Sequence, residues 1–245
     1  MAGRGARRDL PPMRLHSLRL ATLVTLAALA AACTTAPPRP AAAPAVPVET
    51  GELPLASDAA ADSLLVDVHA ADSTIRVDLR YATAANFTGA PLPGYEGNRA
   101  FLRRPAAAAL GRVQKRLAPA GLGLLVYDAY RPVRATLAMV RWTERTKREH
   151  LVRDGYIASR SRHNLGLAID LTLVDGATGA ELPMGTAFDT FDSTAHTANA
   201  TGEAARNRQR LRAAMEAEGF TNYAQEWWHY SYSLPDPVRF DRVVR

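Results

Sequence analysis

The sequence has almost no cysteine. Cys33 is the only one among 245 residues, so no intramolecular disulfide can form and packing must hold the fold. With 47% hydrophobic residues, a chain of this length can bury one good core, with room for a small subdomain. We find no internal repeat.

Blocks of basic residues are missing from the body of the chain. The formal net charge is +6, but residues 1–32 hold five arginines and one aspartate, which leaves 25 basic and 23 acidic residues elsewhere. Nearly equal numbers of basic and acidic residues are not typical of a nucleic-acid-binding protein. We therefore expect no nucleic-acid partner and assign the basic character to targeting.

The apolar run Leu20–Ala32 is too short and too rich in small residues to make a comfortable membrane-spanning helix. A basic leader precedes it and small residues end it, which predicts a secretory signal. Cys33 directly after the run resembles the lipidated cysteine of a bacterial lipobox, although Ala30 stands where that pattern prefers Leu. A plain signal cleaved near the same place is the alternative.

Proline and alanine dominate the segment after Cys33, which favours an extended, unpacked tether. We expect three parts: a signal peptide with a lipobox-like cysteine over 1–33, the tether over 34–62 and a folded domain over 63–245. The expected location is outside the cytoplasm, either periplasmic or as a membrane-anchored lipoprotein. Membrane contact is then expected only through the lipid at Cys33.

Hydrophobic periodicity predicts a mixture of strands and helices in the folded domain. Strands are expected at 64–69, 75–81, 122–128, 167–174 and 227–232, and helices at 105–117, 132–153 and 203–218. Residues 86–98 hold three Gly and two Pro and are expected to form a loop. Strands with segregated helices predict an α+β fold with a central antiparallel sheet flanked by helices.

Two histidines and one aspartate are candidate metal ligands. His163 lies in a polar turn ended by Gly166, whereas Asp170 lies in an apolar strand, where a carboxylate is costly unless paired or metal-bound. Taken alone, this pair more often makes a capped loop and a buried hydrogen bond. His229, far downstream, supplies a third ligand, and three protein ligands with an open fourth position fit a catalytic zinc site.

Glu226 and Arg131 are candidate catalytic residues. A spare Glu beside a zinc site can take a proton from the attacking water. Positions i and i+3 of a strand point to opposite faces, so we expect Glu226 in the turn before the strand that carries His229. Arg131, between a strand end and Pro132, can present its guanidinium to a developing oxyanion; an ordinary surface arginine is the alternative.

These residues resemble the VanX-type D-alanyl-D-alanine dipeptidases of the LAS zinc peptidase group, which also includes VanY-like carboxypeptidases and the hedgehog-like fold. The resemblance implies a hedgehog/DD-peptidase-like α+β fold, with residues 63–245 as a zinc dipeptidase domain. It also implies one Zn²⁺ per chain and hydrolysis of the small dipeptide D-alanyl-D-alanine to D-alanine by metal-activated water. The segments that carry it are Asp78–Thr83, Asn86–Gly89, Ser161–Leu173, Met184–Asp189 and Glu226–Tyr230.

The resemblance assigns His163, Asp170 and His229 as zinc ligands, Glu226 as the general base and Arg131 as the transition-state stabiliser. It further places Asp189 against the substrate ammonium, with Ser161 and Tyr81 lining the pocket. Chemistry agrees about Asp189, because a dipeptidase must recognise a free amino terminus and an unpaired carboxylate rejects longer chains. A turn or helix-cap aspartate is the alternative.

Other functions remain open on the sequence. A D,D- or L,D-carboxypeptidase acting on longer peptidoglycan stem peptides would use the same zinc residues in a pocket open at the amino side. A non-catalytic wall-binding lipoprotein would have no need for Glu226. His196 is the substitute ligand if His163 fails. Typical VanX enzymes are cytoplasmic whereas this chain carries an export signal, so the natural substrate pool, like the oligomeric state, stays open.

Overall fold

Residues 53–245 are described by a computed structural model. The predicted signal peptide, Cys33 and most of the expected tether lie outside the described residues. The first helix begins at Asp58, before the expected start of the folded domain at residue 63. Among the described residues, every helix is too short or too polar to cross a membrane.

Helices and strands alternate irregularly along the described part of the chain. The helices are α1 Asp58–Leu64, α2 Arg104–Leu117, α3 Val133–Arg145, α4 His150–Arg153 and α5 Gly202–Glu216. The strands are β1 Leu65–Asp67, β2 Arg76–Val77, β3 Phe101–Arg103, β4 Leu122–Asp128, β5 Ala168–Asp175, β6 Thr221–Asn222 and β7 His229–Ser231.

A five-stranded sheet in the order β2-β4-β5-β7-β6 forms the centre of the fold. Its strands pair antiparallel except for β2, which runs parallel to β4 at one edge. A separate antiparallel pair joins β1 to β3. The predicted α+β fold, with a central and mainly antiparallel sheet flanked by helices, is confirmed.

The two longest strands lie in the interior of the sheet and are covered on both faces. All residues of β5 except the last are buried, which explains why its sequence is a nearly continuous apolar run. Helix α2 packs against β4 and α5 through the buried residues Ala106, Leu110, Val113 and Leu117. Their spacing of three and four residues makes one apolar helical stripe, so α2 covers the strand that carries Asp128.

The prediction of one long helix over 132–153 is wrong, because the structure has two helices, α3 and α4, in this range. Helix α3 ends at Arg145, and Lys147 has the left-handed φ of +58° that breaks it. No Gly or Pro marks this break in the sequence. The last predicted strand, 227–232, is also shorter than expected, because Trp227 and Trp228 lie in a turn and β7 begins at His229.

Gly166 is expected to be the more sensitive of two left-handed glycines. Its φ is +63°, and a Cβ would lie 2.5 Å from Leu65 Cδ2 and 3.2 Å from the Arg103 nitrogen; Gly121, with φ of +70°, has open space there. Gly121→Ala should lower the free energy of unfolding by about 1–2 kcal/mol through backbone strain alone. Gly166→Ala should lose roughly 1–3 kcal/mol more through overpacking. Urea denaturation of both variants measures the difference, and equal losses contradict the clash.

Candidate active site

Strand pairing brings two predicted ligands face to face. In the antiparallel ladder between β5 and β7, Asp170 is the direct partner of His229, and such partners have Cβ atoms about 4.5–5.5 Å apart. The Asp170 Oδ1 and His229 Nδ1 atoms are 3.0 Å apart. The ladder therefore fixes a carboxylate oxygen and an imidazole nitrogen side by side.

The third predicted ligand comes from a short 3-10 turn, Arg162–Leu165, just before β5. The Ser161 hydroxyl accepts a hydrogen bond from the His163 amide at 3.3 Å, and Gly166 ends the turn in the left-handed conformation. His163 Nδ1 lies 2.6 Å from the Ala129 carbonyl oxygen. Because a carbonyl only accepts, Nδ1 carries the proton and Nε2 keeps a free lone pair.

His163, Asp170 and His229 converge on one point. One ligand atom from each residue lies within 4.8 Å of the other two, and His163 Nε2 is 3.3 Å from both Asp170 Oδ2 and His229 Nδ1. Two imidazole nitrogens and one carboxylate oxygen suit zinc chemically, so the donor set fits the predicted ion. The substitute ligand His196 is not in this group, and its Nε2 instead lies 3.1 Å from the Tyr156 hydroxyl.

The protonation states of these groups suit a ligand set. Burial alone would raise the pKa of the Asp170 carboxyl, but the imidazoles of His163 and His229 hold it below its ordinary value. Burial lowers the pKa of His229, because the cationic imidazolium is poorly solvated there. An ionised Asp170 beside a neutral His229 imidazole is a form that can bind a cation.

Glu226 lies in the turn just before β7, as strand geometry predicts. Its amide donates to the Tyr223 carbonyl at 3.0 Å, and its own carbonyl accepts from the His229 amide at 3.3 Å. This turn brings Glu226 Oε2 to 3.7 Å from His229 Nδ1. Burial raises the pKa of Glu226 well above its ordinary value, and the nearby Asp170 and Asp189 raise it further.

Arg131 is not a surface arginine, since only 7% of it is exposed. Its Nε and Nη2 atoms lie 2.9 and 2.8 Å from Asp128 Oδ2, and Nη2 is 3.7 Å from Asp170 Oδ2. Burial disfavours the guanidinium charge, but Asp128 and the other acidic groups nearby together outweigh it and raise the pKa of Arg131 above its ordinary value. The charge is therefore fixed beside the ligand group.

Sequence reasoning assigned no role to Asp128, which is fully buried. The register of β4 with β5 shifts between Val126 and Asp128, which sets Asp128 opposite Asp170. The Tyr95 hydroxyl donates to its Oδ1, while Oδ2 faces Arg131. A charged residue at the end of an apolar strand, three positions before an Arg, is the one sequence signal for this support.

Asp189 is paired with a second predicted residue. The Tyr81 hydroxyl lies 2.9 and 3.2 Å from its two carboxylate oxygens. Burial and then Asp170 raise the pKa of Asp189 well above its ordinary value. The Asp189 backbone has a positive φ of +60°, a left-handed conformation that few residues other than Gly, Asn and Asp adopt and that is often found at functional sites.

A cavity of about 430 Å³ joins the candidate ligands to Glu226, Arg131 and Asp189. Every site residue predicted from the sequence lines it: Tyr81, Arg131, Ser161, His163, Asp170, Asp189, Glu226 and His229. The cavity wall also includes Arg160, which is exposed. The arrangement can hold a cation beside a carboxylate base, an arginine and a second carboxylate, which are the parts that hydrolysis of a small charged amide needs.

Comparison with known proteins agrees with this chemistry. The model of the peptidase M15 family, described as D-ala-D-ala dipeptidase, matches residues 61–242. A D-alanyl-D-alanine dipeptidase of Streptomyces coelicolor is 42% identical over 174 residues, covering 65% of this chain and 86% of the relative. The enzyme of the same name from Enterococcus faecalis is 42% identical over 171 residues, covering 64% and 85%. That of Escherichia coli is 34% identical over 178 residues, covering 72% and 87%.

Solved structures give more distant likenesses. A vancomycin-resistance D,D-dipeptidase, VanXYg, in complex with a D-Ala-D-Ala phosphinate analogue, is 18% identical with a TM-score of 0.37, covering 69% of this chain and 66% of that one. The LD-carboxypeptidase LdcB is 23% identical with a TM-score of 0.37, covering 54% and 59%. These two likenesses are too distant to add to the assignment, which rests on the family model and the closer relatives. The chain is a metallopeptidase that belongs to the peptidase M15 family of D-ala-D-ala dipeptidases.

Proposed function

We propose that this chain is an exported, zinc-dependent dipeptidase that hydrolyses D-alanyl-D-alanine to D-alanine. The observation that carries the proposal is the convergence of three metal-binding side chains, Glu226 and a buried Asp189 on one cavity. A wall-binding protein has no use for a buried carboxylate beside a complete ligand set. A carboxypeptidase would leave Asp189 without a partner for its charge.

We further propose one zinc ion per chain, held by His163 Nε2, an Asp170 oxygen and His229 Nδ1. These atoms already face one another, and the Nδ1 proton of His163 is engaged elsewhere, by the Ala129 carbonyl. A bound zinc ion supplies Lewis acidity, which lowers the pKa of a coordinated water to about 7.

Glu226 and Arg131 supply the rest of the chemistry in this proposal. Glu226 accepts the proton of the attacking water and delivers it to the departing amine. Arg131, held by Asp128, donates toward the oxygen that becomes negative in the tetrahedral transition state. Because both Arg131 bonds to Asp128 are short and buried, the guanidinium needs little reorganisation as the charge develops.

Recognition of the substrate follows from its two charges. The ammonium of a dipeptide pairs with Asp189, which Tyr81 orients. Arg160 lines the same cavity and supplies positive charge for the substrate carboxylate. An acylated amine or a longer chain at the amino side would leave the Asp189 carboxylate buried and unpaired, which is strongly unfavourable.

Replacing Glu226 by Gln should abolish turnover and keep the metal. We expect kcat to fall by roughly 10²–10⁴-fold, because general base catalysis is lost, while zinc remains stoichiometric because Glu226 is not a ligand. Metal analysis and D-Ala-D-Ala hydrolysis measure the two quantities. Glu216→Gln, an exposed change on α5, is the matched control and should keep wild-type turnover. Wild-type turnover in Glu226→Gln would remove Glu226 from the mechanism.

Acetylation of the substrate amine should abolish its hydrolysis. We expect kcat/KM for N-acetyl-D-Ala-D-Ala to lie on the order of a hundredfold or more below that for D-Ala-D-Ala, because a buried charge loses its partner. Asp189→Asn should reduce the difference in kcat/KM between the two substrates, since the Asn side chain carries no charge that acetylation could leave unpaired. Similar rates for both substrates would point to a carboxypeptidase, and no hydrolysis of either by the zinc-loaded protein would favour a binding role.

We propose that the chain is exported and anchored through a lipid on Cys33. The support is the sequence alone: a basic leader, the apolar run Leu20–Ala32 and a cysteine directly after its small residues. An enzyme in that location would meet dipeptide released from the wall rather than the precursor pool of the cytoplasm. The proposal therefore favours recycling of wall-derived dipeptide over antibiotic resistance.

Changing Cys33 to Ala should release the protein from the membrane. In a bacterial host fed labelled palmitate, the wild-type chain should take up label and sediment with membranes, whereas the Cys33→Ala variant should do neither. Dipeptidase activity per molecule should be equal in both, because the folded domain is unchanged. An unlabelled, soluble wild-type chain found outside the cytoplasm would establish a plain signal instead.

A further inference from the structure

Arg208 on α5 is buried and has no acidic partner in the part of the chain that the structure describes. Only 1% of the residue is exposed, and among residues 53–245 no carboxylate forms an ion pair with it. Burial lowers the pKa of its guanidinium, which shows that the position is costly for a cation. A buried charge of this kind persists only where other polar groups satisfy it.

Backbone carbonyls satisfy this guanidinium. Its Nε donates to the Met184 carbonyl at 2.7 Å, and Nη1 donates to the His196 carbonyl at 2.7 Å. Nη1 and Nη2 also donate to the Thr194 carbonyl at 3.2 and 3.1 Å. These acceptors lie at the two ends of one segment, residues 183–196, which we name the Asp189 loop. The planar fork of Arg208 thus closes the loop at its base.

A neighbouring side chain strengthens this closure. Asn207 Nδ2 donates to the Pro183 carbonyl at 2.9 Å, so two consecutive residues of α5 bind the same loop. Gly185 in the loop passes close to the guanidinium, since a Cβ there would lie 3.3 Å from Arg208 Nη2. Arg208 therefore binds the loop through several directed hydrogen bonds, unlike an arginine whose charge is solvated by water.

The same guanidinium reaches the segment that carries Glu226. Its Cζ lies 5.8 Å from the centre of the Trp227 ring, within the range of a cation–π contact. Trp227 in turn donates from Nε1 to the Thr186 hydroxyl at 2.8 Å, and from its amide to the Ala195 carbonyl at 3.1 Å. Trp227 directly follows Glu226 in the chain, so these contacts connect the Asp189 loop to the segment that carries the proposed base.

We infer that Arg208 is a positioning residue that sets the place of Asp189 relative to Glu226, and so controls recognition of the substrate amine. This inference rests on the proposed function, because it takes Asp189 as the group that pairs with that amine. Asp189 itself has a left-handed backbone, with φ of +60°, an uncommon conformation that contacts at both ends of the loop help to maintain. Arg208 supplies that hold without touching the substrate.

Arg208→Met tests the inference, with Arg208→Lys as the conservative variant and Arg210→Met as the matched control, because Arg210 is exposed on the same helix. We expect Arg208→Met to raise KM for D-Ala-D-Ala at least tenfold and to reduce the preference over N-acetyl-D-Ala-D-Ala, with zinc content unchanged. Arg208→Lys should recover part of the loss, and Arg210→Met should match wild type. A zinc-loaded Arg208→Met protein with wild-type KM and preference would overturn the inference.

Amide hydrogen exchange gives a readout that does not depend on activity. Residues 184–196 of Arg208→Met should exchange at least tenfold faster than in wild type, while β4 and β5 keep their protection. Unchanged exchange in the loop would overturn the inference even in an active enzyme. If the loop exchanges faster in Arg208→Met but the wild-type protein cleaves neither substrate, the proposed function is wrong. Arg208 would then hold the loop in place without a role in substrate recognition.

A milder variant covers the case in which Arg208→Met does not fold. Thr186→Val keeps the size of the side chain and removes the acceptor of the Trp227 indole. We expect its KM to rise about threefold to tenfold, with unchanged zinc content and faster exchange confined to the same loop. Wild-type values of both KM and exchange in this variant would count against the link between the loop and the Glu226 segment.

Discussion

The site depends on the register of three neighbouring strands. Asp170 meets His229 because β5 and β7 pair at that position, and it meets Asp128 because β4 shifts its register after Val126. A slip of one residue would turn these side chains to the opposite face of the sheet. Strand pairing thus sets the positions of Asp170 and His229, and the Ala129 carbonyl, directly after β4, holds His163 beside them.

The concentration of buried acid is the electrostatic cost of this arrangement. Asp128, Asp170, Asp189 and Glu226 are gathered around Arg131, which is bonded to Asp128. Burial and mutual repulsion raise the pKa values of Asp189 and Glu226. This is expected where several buried carboxyl groups share the buried, positively charged side chain of Arg131. A divalent cation on the ligand group, and the ammonium of a substrate at Asp189, are the charges that would offset this excess.

Long periodic segments were predictable from the sequence, and breaks in them were not. The strand at 122–128 and the helix that ends at Leu117 follow from apolar patterns. The break at Lys147 has no Gly or Pro signal, and the two-residue β6 strand is too short for a periodic pattern, because contacts made after folding decide both. Asp170 was identifiable because a carboxylate is unexpected in an apolar strand, whereas Ser161 and Tyr81 were assigned only through the family resemblance. Asp128 was missed although its partner Arg131 is only three positions away, because its place opposite Asp170 depends on a register shift between strands. Arg208 was missed because its partners are backbone carbonyls, which leave no pattern in the sequence.

The metal-binding residues alone do not explain why a protein of this kind would act on a dipeptide. A carboxypeptidase for longer peptides can use the same ligands, base and arginine, so the difference in substrate must come from the amino side of the cavity. In this chain that side is the Asp189 loop, whose two ends bind Arg208 and whose carboxylate binds Tyr81. Loss of the loop's fixed position would leave the hydrolytic groups in place and remove the barrier to longer substrates. Under the proposed function, substrate length would thus be set by the hydrogen bonds that Arg208 makes to the Asp189 loop rather than by the metal centre.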